Sequence, residues 1–150
     1  MITKALIDDF MSQKTLAIAG ISNQGTKFGN TIYKEMKSKG YKLFPIHPHI
    51  KEYDGETCYS DLSSLPEQVQ GMIICIKPGK AEQLVRDVEK AGIKRIWLQQ
   101  GAESDFAIKF CNDNGINVIY KHCILMFLEP VKFPHSFHRW FLKLFGKYPK

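Results

Sequence analysis

The sequence lacks a long hydrophobic run. Its longest mainly apolar stretch, residues 123–128, is far shorter than the roughly 20 residues that a membrane-spanning helix needs. The first residues also lack the uninterrupted apolar core of a secretory signal. We therefore predict no membrane span and expect a cytoplasmic protein.

Cysteine is scarce, and the four cysteines form no C-x-x-C pair or other metal-like spacing; they are Cys58, Cys75, Cys111 and Cys123. We interpret them as reduced thiols. The sequence also has no low-complexity tract and no internal repeat. At 150 residues, of which 44% are hydrophobic, the chain is long enough to form one compact domain without cross-links.

The net charge is +6, but most of the chain carries no excess of positive charge. Residues 1–120 carry 15 basic and 14 acidic side chains, so most of the net charge lies in residues 121–150. The basicity therefore belongs to a C-terminal tail. Nothing in the sequence matches a recognised nucleic-acid-binding module, and we predict no nucleic-acid partner.

Short apolar runs alternate with amphipathic segments along residues 5–120. The run at residues 15–19 is continuously small or apolar, which is typical of a parallel strand covered on both faces. We predict strands over residues 15–19, 41–46, 72–76, 93–98 and 117–120, and helices over residues 5–11, 30–39, 80–91 and 104–114. This order predicts an α/β fold, a Rossmann-like doubly wound parallel sheet of about five strands with helices on both faces.

A glycine-bearing loop, residues 20–30, follows the first predicted strand. In doubly wound folds this loop faces the ligand crevice. We expect main-chain amides between Ser22 and Asn30 to bind an anion, with help from the positive end of the next helix and from Lys27. The loop matches neither G-x-x-x-x-G-K-[ST] nor G-x-G-x-x-G, and a purely structural tight turn is the competing interpretation.

No acidic residue stands at the end of the second predicted strand, where NAD-binding domains hold the ribose hydroxyls. His47, Pro48 and His49 stand there instead, with Lys51 nearby. This end favours an extra phosphate or a neutral contact, which disfavours NAD. A solvated turn is the alternative interpretation.

Together these segments resemble the CoA-binding domain family, single-domain Rossmann-like proteins related to the nucleotide-binding domain of the succinyl-CoA synthetase alpha subunit. The resemblance covers roughly residues 8–123. It depends on segments that occur in order with compatible spacing: residues 16–22 (LAIAGIS), 27–30 (KFGN), 40–48 (GYKLFPIHP), 61–66 (DLSSLP), 97–101 (WLQQG) and Cys123.

The resemblance implies a protein that binds coenzyme A or an acyl-CoA, with NADP as the alternative ligand. It implies that phosphate and pantetheine lie at the first loop, adenosine at the second strand, adenine after the third strand, and a pocket floor after the fourth. His47 stands where the family commonly has asparagine, and strand-end packing is the alternative for Ile76 and Pro78. The implied cofactor-binding residues are Gly20, Ile21, Ser22, Lys27, Phe28, Gly29, Asn30, His47, Pro48, Ile76, Lys77, Pro78, Gln100 and Gly101.

The sequence has no convincing pair of carboxylates, no serine elbow and no metal-ligand cluster. The resemblance stops before the synthetase domain that holds the phosphorylated histidine, and His122 cannot inherit that role. Cys123 is the one catalytic candidate, because its thiol could meet a pantetheine sulfur; simple packing is the alternative. Our main hypothesis is ligand binding without catalysis. A nucleotide-dependent enzyme or a thiol redox sensor using Cys123 is the alternative.

We place the binding domain at residues 1–123 and a basic, aromatic C-terminal extension at residues 124–150. Helical spacing within the extension predicts an amphipathic helix with the stripe Phe137, Trp140, Phe141, Leu144 and Phe145. We expect this helix to pack on its own domain or to join a second subunit in a homo-oligomer. Contact with an anionic membrane surface is the alternative.

Overall fold

A five-stranded parallel sheet forms the centre of the computed structural model, which describes residues 1–128. Its strand order is β2-β1-β5-β6-β7, and β3 and β4 form a separate antiparallel hairpin. The strands are β1 (Thr15–Ala19), β2 (Lys42–Ile46), β3 (Glu52–Tyr53), β4 (Glu56–Thr57), β5 (Gly71–Ile74), β6 (Arg95–Gln99) and β7 (Asn117–His122).

Helices cover both faces of this sheet: α1 (Lys4–Ser12), α2 (Phe28–Ser38), α3 (Pro78–Lys90) and α4 (Asp105–Asp113). Ile7 of α1 and Ile32 of α2 pack in one core with Ile18 of β1. Val85 of α3 packs in a second core, on the opposite face, with Ala17 of β1. Neighbouring residues of β1 thus enter different cores, as the pleat requires. The predicted α/β class with helices on both faces is confirmed.

The strand order reverses at β1. The chain passes from β1 through α2 to β2 on one side, and then returns to β5 on the other side. A crevice forms outside the carboxyl ends of strands at such a reversal, and it is the usual ligand position in doubly wound sheets. The loop of residues 20–27 and the start of α3 border this crevice.

Two helices begin two residues earlier than predicted. α2 begins at Phe28 because the side chain of Asn30 accepts a hydrogen bond from the amide of Lys27 and caps the first turn. α3 begins at Pro78, since proline is well suited to the first position of a helix. β5 is correspondingly shorter than the predicted strand and ends at Ile74.

The last strand is longer than predicted and irregular. β7 continues to His122, and its register with β6 shifts between Trp97 and Gln99. Lys121 has a left-handed φ of 61° at this shift, which is typical of a bulge. The bulge turns the main chain so that Trp97 Nε1 donates to the carbonyl of His122 at 3.1 Å.

The β3–β4 hairpin was not predicted, because strands of two residues are too short to show an alternation of apolar and polar residues. Its turn residues do carry a signal. Asp54 and Gly55 have φ values of 54° and 76°, and an Asp-Gly pair is preferred where both central residues of a hairpin turn need positive φ. The hairpin brings Tyr53 into the core on the α2 face of the sheet.

The folded domain extends beyond the predicted boundary at residue 123. The side chains of Ile124, Leu125, Met126 and Leu128 are buried in the same core as α1 and α2. The start of the predicted extension is therefore part of the domain. The predicted helix at residues 137–145 lies outside the described residues. Within residues 1–128, no helix is both long and apolar enough to cross a membrane.

Candidate functional site

Two glycines make the close contact between β1, β5 and α2 possible. Gly20 has φ +123°, and a Cβ atom there would lie 2.2 Å from the carbonyl oxygen of Cys75. A Cβ atom at Gly29 would lie 2.3 Å from the carbonyl oxygen of Gly20. Both obstructions are main-chain atoms, so neither moves aside cheaply. The first turn of α2 is therefore held directly against the end of β1, at the strand reversal.

Asn30 organises the loop from inside. Its side chain is only 1% exposed. Its Oδ1 accepts from the amide of Ser22 at 2.8 Å, and its Nδ2 donates to the carbonyl of Ser22 at 3.0 Å. Asn30 was predicted to contact the ligand, but these bonds and the one from the Lys27 amide occupy its amide group. It supports the loop instead of reaching into the crevice.

The loop amides are less available than expected. Those of Ser22, Gly25, Thr26, Lys27 and Asn30 donate to groups of the loop itself. The expectation of free amides throughout residues 22–30 is therefore wrong for these five. Within residues 1–128, the amides of Asn23, Gln24 and Gly29 have no hydrogen-bond partner. With the positive end of α2, they leave a narrower but polarised anion-binding edge.

His47 is half-buried at the end of β2, and its hydrogen bonds fix its tautomer. Its Nδ1 accepts from the amides of His49 at 3.0 Å and Ile50 at 3.1 Å. The proton of the neutral ring is therefore on Nε2. The main chain of His47 is also held, because its amide donates to the carbonyl of Tyr59 at 2.9 Å.

A cluster of basic groups surrounds His47. Burial lowers the pKa of His47, and the charges of His49, Lys27 and Lys80 lower it further. Lys27 also acts on the thiol of Cys75, whose pKa burial raises overall. The residues of this basic cluster lie in the loop after β1, at the end of β2 and in the first turn of α3. Lys27 and Lys80 thus bring positive charge from two separate segments to the carboxyl edge of the sheet.

The remaining predicted residues have several different environments. Ile21 is fully buried in the α2 core, so only its main chain is available. Ser22 is buried within the loop network, while Lys27 and Phe28 are exposed. The amide of Gly101 donates to Glu103 Oε2 at 3.0 Å. Others lie at the carboxyl edge: Pro48, Lys77, Pro78 and Gln100 are exposed, and Ile76 is half-buried.

The cysteines have little thiolate character. All four are free. Cys123 is 7% exposed, and burial raises the pKa of its thiol, as it does for Cys75. Burial raises the pKa of Cys111 to about 12. A thiol that stays protonated is a poor nucleophile, so this environment disfavours covalent chemistry at Cys123. Residues 1–128 contain no cluster of three potential metal ligands.

Sequence reasoning missed two residues near this edge. Lys80 stands in the first turn of α3, and the rule that ligands lie at the carboxyl ends of strands could have identified it. Tyr53 lies below the loop after β1: its hydroxyl is 3.6 Å from the position of a Cβ atom at Gly25. No local pattern indicates that contact, because it depends on how the hairpin folds back.

Comparison with known proteins identifies the family of this chain. A family model described as a CoA binding domain matches residues 14–129. The chain belongs to this family. The resemblance stated from the sequence is therefore confirmed at the family level, and the CoA-binding domain includes the buried residues 124–128.

Relatives of the CoA-binding domain occur alone and as part of larger enzymes. An uncharacterised Bacillus subtilis protein, YneT, is 25% identical over 127 residues, covering 81% of this chain and 91% of that protein. The alpha subunit of the Pyrococcus furiosus ADP-forming acetate–CoA ligase II is 22% identical over 130 residues, covering 79% of this chain but 28% of that subunit. The chain thus spans under a third of the ligase subunit's length.

Solved structures support the fold. A conserved hypothetical protein from Pyrococcus furiosus is 32% identical, with a TM-score of 0.71, covering 74% of this chain and 96% of that one. A dinucleotide-forming acetyl-coenzyme A synthetase from Korarchaeum cryptofilum is 24% identical, with a TM-score of 0.65, covering 75% of this chain and 27% of that one. At that identity the second likeness shows the fold alone.

The oxygen of an asparagine side chain can accept from a main-chain amide two residues on, so asparagine can replace the bond that His47 Nδ1 accepts from the amide of His49. Because the pKa of His47 is lower in the folded protein, the unfolded chain binds a proton at a higher pH than the folded protein does. Stability should therefore fall as pH drops below about 6.5, the ordinary histidine value. We expect His47→Asn to match wild type within about 0.5 kcal/mol at pH 8.

Urea unfolding at pH 8, 6.5 and 5 measures this difference. The His47→Asn variant should lose less stability than wild type on acidification. His122, whose pKa burial also lowers, still titrates in both proteins and accounts for part of the remaining loss. An equal loss in the two proteins would show that His47 does not contribute.

Proposed function

We propose that this CoA-binding domain holds coenzyme A or an acyl-CoA in the crevice at the β1–β5 reversal, without itself catalysing a reaction. The observation that carries the proposal is an edge of three amides that have no hydrogen-bond partner within residues 1–128, those of Asn23, Gln24 and Gly29, with the basic cluster of Lys27, Lys80 and His49 near His47. It lies where the strand order reverses, which is the ligand position of doubly wound sheets. The family match to a CoA binding domain supports the same ligand.

Coenzyme A suits the cluster because it carries a diphosphate and a separate 3′-phosphate. Positive charge from two separate segments, at Lys27 and Lys80, fits such a divided anion better than a single phosphate. We propose that the diphosphate lies against the Asn23, Gln24 and Gly29 amides, at the N-terminal start of α2 and in the loop before it. Lys27 and Lys80 neutralise charge, and His47 Nε2 donates to the nucleotide. NADP also carries a third phosphate and is the competing ligand.

The remaining contacts of the proposed site follow the family arrangement. We propose that Gly20 and Ser22 shape the phosphate edge, and that Phe28, exposed by 41%, covers the pantetheine arm. Pro48 would lie beside adenosine, and the segment of residues 76–78 would flank adenine. Gln100 and Gly101 would close the floor.

Calorimetry with coenzyme A, dephospho-CoA, NADP and NAD tests this function. We expect coenzyme A to bind most tightly, dephospho-CoA less tightly because it lacks the 3′-phosphate, and NAD least tightly. Neither heat nor a thermal shift with millimolar coenzyme A would contradict the proposal. Stronger binding of NADP than of coenzyme A would change the assigned ligand.

We propose that the C-terminal extension packs on the domain or joins two copies, since its apolar stripe needs a covering surface. We also propose that the protein works in the cytoplasm. Its four free thiols suit a reducing compartment.

A further inference from the structure

Tyr53 carries a buried hydroxyl group with no partner. The residue is 8% exposed, and within residues 1–128 its hydroxyl oxygen is shielded from solvent without accepting or donating a hydrogen bond. Its ring packs edge-on against Tyr33, with the ring centroids 5.4 Å apart. A buried hydroxyl in this state destabilises the free protein, because it has lost its hydrogen bonds to water.

The hydroxyl of Tyr53 lies next to the turn at Gly25. Tyr53 Oη lies 3.6 Å from the position of a Cβ atom at Gly25, directly beneath the loop after β1. Gly25 has φ +73°, and its amide closes a turn by donating to the carbonyl of Ser22 at 3.2 Å. The unpaired hydroxyl therefore faces the turn that borders the proposed ligand site.

Peptide geometry links this turn to a bound anion. In a planar trans peptide, the amide N–H and the preceding carbonyl point in opposite directions. The Gln24 amide has no partner within the described part of the chain. When it turns towards a phosphate on the crevice side, the carbonyl of Asn23 turns towards the inner side, where the hairpin lies.

We propose that Tyr53 is a positioning residue whose hydroxyl donates to a carbonyl of the 23–25 turn when ligand is bound, and so holds the turn in its binding conformation. The inference rests on the proposed function at this crevice. The bond is absent from the free protein and formed in the complex, so it contributes to ligand affinity and not to the stability of the free fold.

Tyr33 provides a matched control. Its hydroxyl is also buried, and within residues 1–128 its polar neighbour is the ammonium group of Lys37, on the side away from the turn. Tyr33 lies near Lys37, whose Nζ is 5.2 Å from the ring centroid, and not beside Gly25. Tyr33→Phe removes the same atom from the same core without touching the turn.

The experiment compares wild type, Tyr53→Phe and Tyr33→Phe in thermal unfolding without ligand and in stopped-flow binding of coenzyme A. We expect Tyr53→Phe not to unfold at a lower temperature than wild type, because it loses an unpaired hydroxyl. We expect Tyr53→Phe to weaken coenzyme A binding about fivefold through faster dissociation, the effect of one net hydrogen bond. Tyr33→Phe should bind as wild type does.

A spectroscopic signal separates positioning from packing. With ¹³Cζ-labelled tyrosine, the signal of Tyr53 is the one that is missing from the spectrum of Tyr53→Phe. In wild type this signal should shift on saturation with coenzyme A, and the Tyr33 signal should not. Equal binding by Tyr53→Phe and wild type would overturn the inference but leave the proposed function intact. Lower stability of ligand-free Tyr53→Phe would also overturn it. No binding by wild type would overturn both.

Discussion

Gly20→Ala is expected to destabilise the protein by about 3–5 kcal/mol and to abolish ligand binding. The new Cβ would lie 2.2 Å from the Cys75 carbonyl oxygen, and alanine would be forced to the φ of +123°. Relief of this clash requires β1 and β5 to separate at their carboxyl ends. That movement would break the bond from the amide of Cys75 to the carbonyl of Ala19, now 2.8 Å long.

Gly79→Ala is the matched control for this substitution. Gly79 stands in the first turn of α3, and nothing lies within 4 Å of a Cβ atom built there. Alanine is the better helix former, so the control should be neutral or slightly more stable. Urea unfolding of the three proteins measures the difference. A Gly20→Ala variant as stable as Gly79→Ala would contradict the close approach at the strand reversal.

Removal of two charges from the basic cluster should cost most of the ligand affinity. We expect Lys27→Gln and Lys80→Gln each to weaken coenzyme A binding about tenfold, and the double variant about a hundredfold, since the charges come from separate segments. The salt dependence of binding should also become shallower. Calorimetry at two ionic strengths measures both effects.

Lys90→Gln is the control for charge alone. Lys90 stands at the opposite end of α3 from Lys80, about 15 Å along the helix axis. Its loss should leave the affinity within about twofold of wild type, because charges so far apart in water are largely screened. The double variant should also raise the pKa of His47, which proton NMR titration can follow without ligand. An unchanged His47 titration would contradict the cluster.

The repeating part of this structure is readable from the sequence. Continuous apolar runs such as residues 15–19 identify buried parallel strands, and their alternation with helices leads to the observed sheet. Gly20 after the first strand also marks the strand reversal, because the strand order must reverse beside it for the fold to be doubly wound. These inferences depend only on patterns among residues that are close together in the sequence.

The rest of the site depends on contacts that are distant along the chain. Asn30 looks like a ligand donor in the sequence, yet the folded loop uses its amide group at Ser22, eight residues away. Lys80 and His47 come together only because α3 begins at the edge where β2 ends. Tyr53 reaches the turn at Gly25 through a hairpin too short to show periodicity.

The proposed function places coenzyme A at the carboxyl edge of the sheet. A groove of ≈ 380 Å³, bordered by Ile7, Met11, Lys39, Tyr41 and Phe127, offers another location near α1 and the end of α2. A titration of ¹⁵N-labelled protein with coenzyme A separates the two. We expect the largest amide shifts at residues 20–30, 47–50 and 77–80. Shifts confined to the α1 groove, or none at saturating ligand, would contradict it.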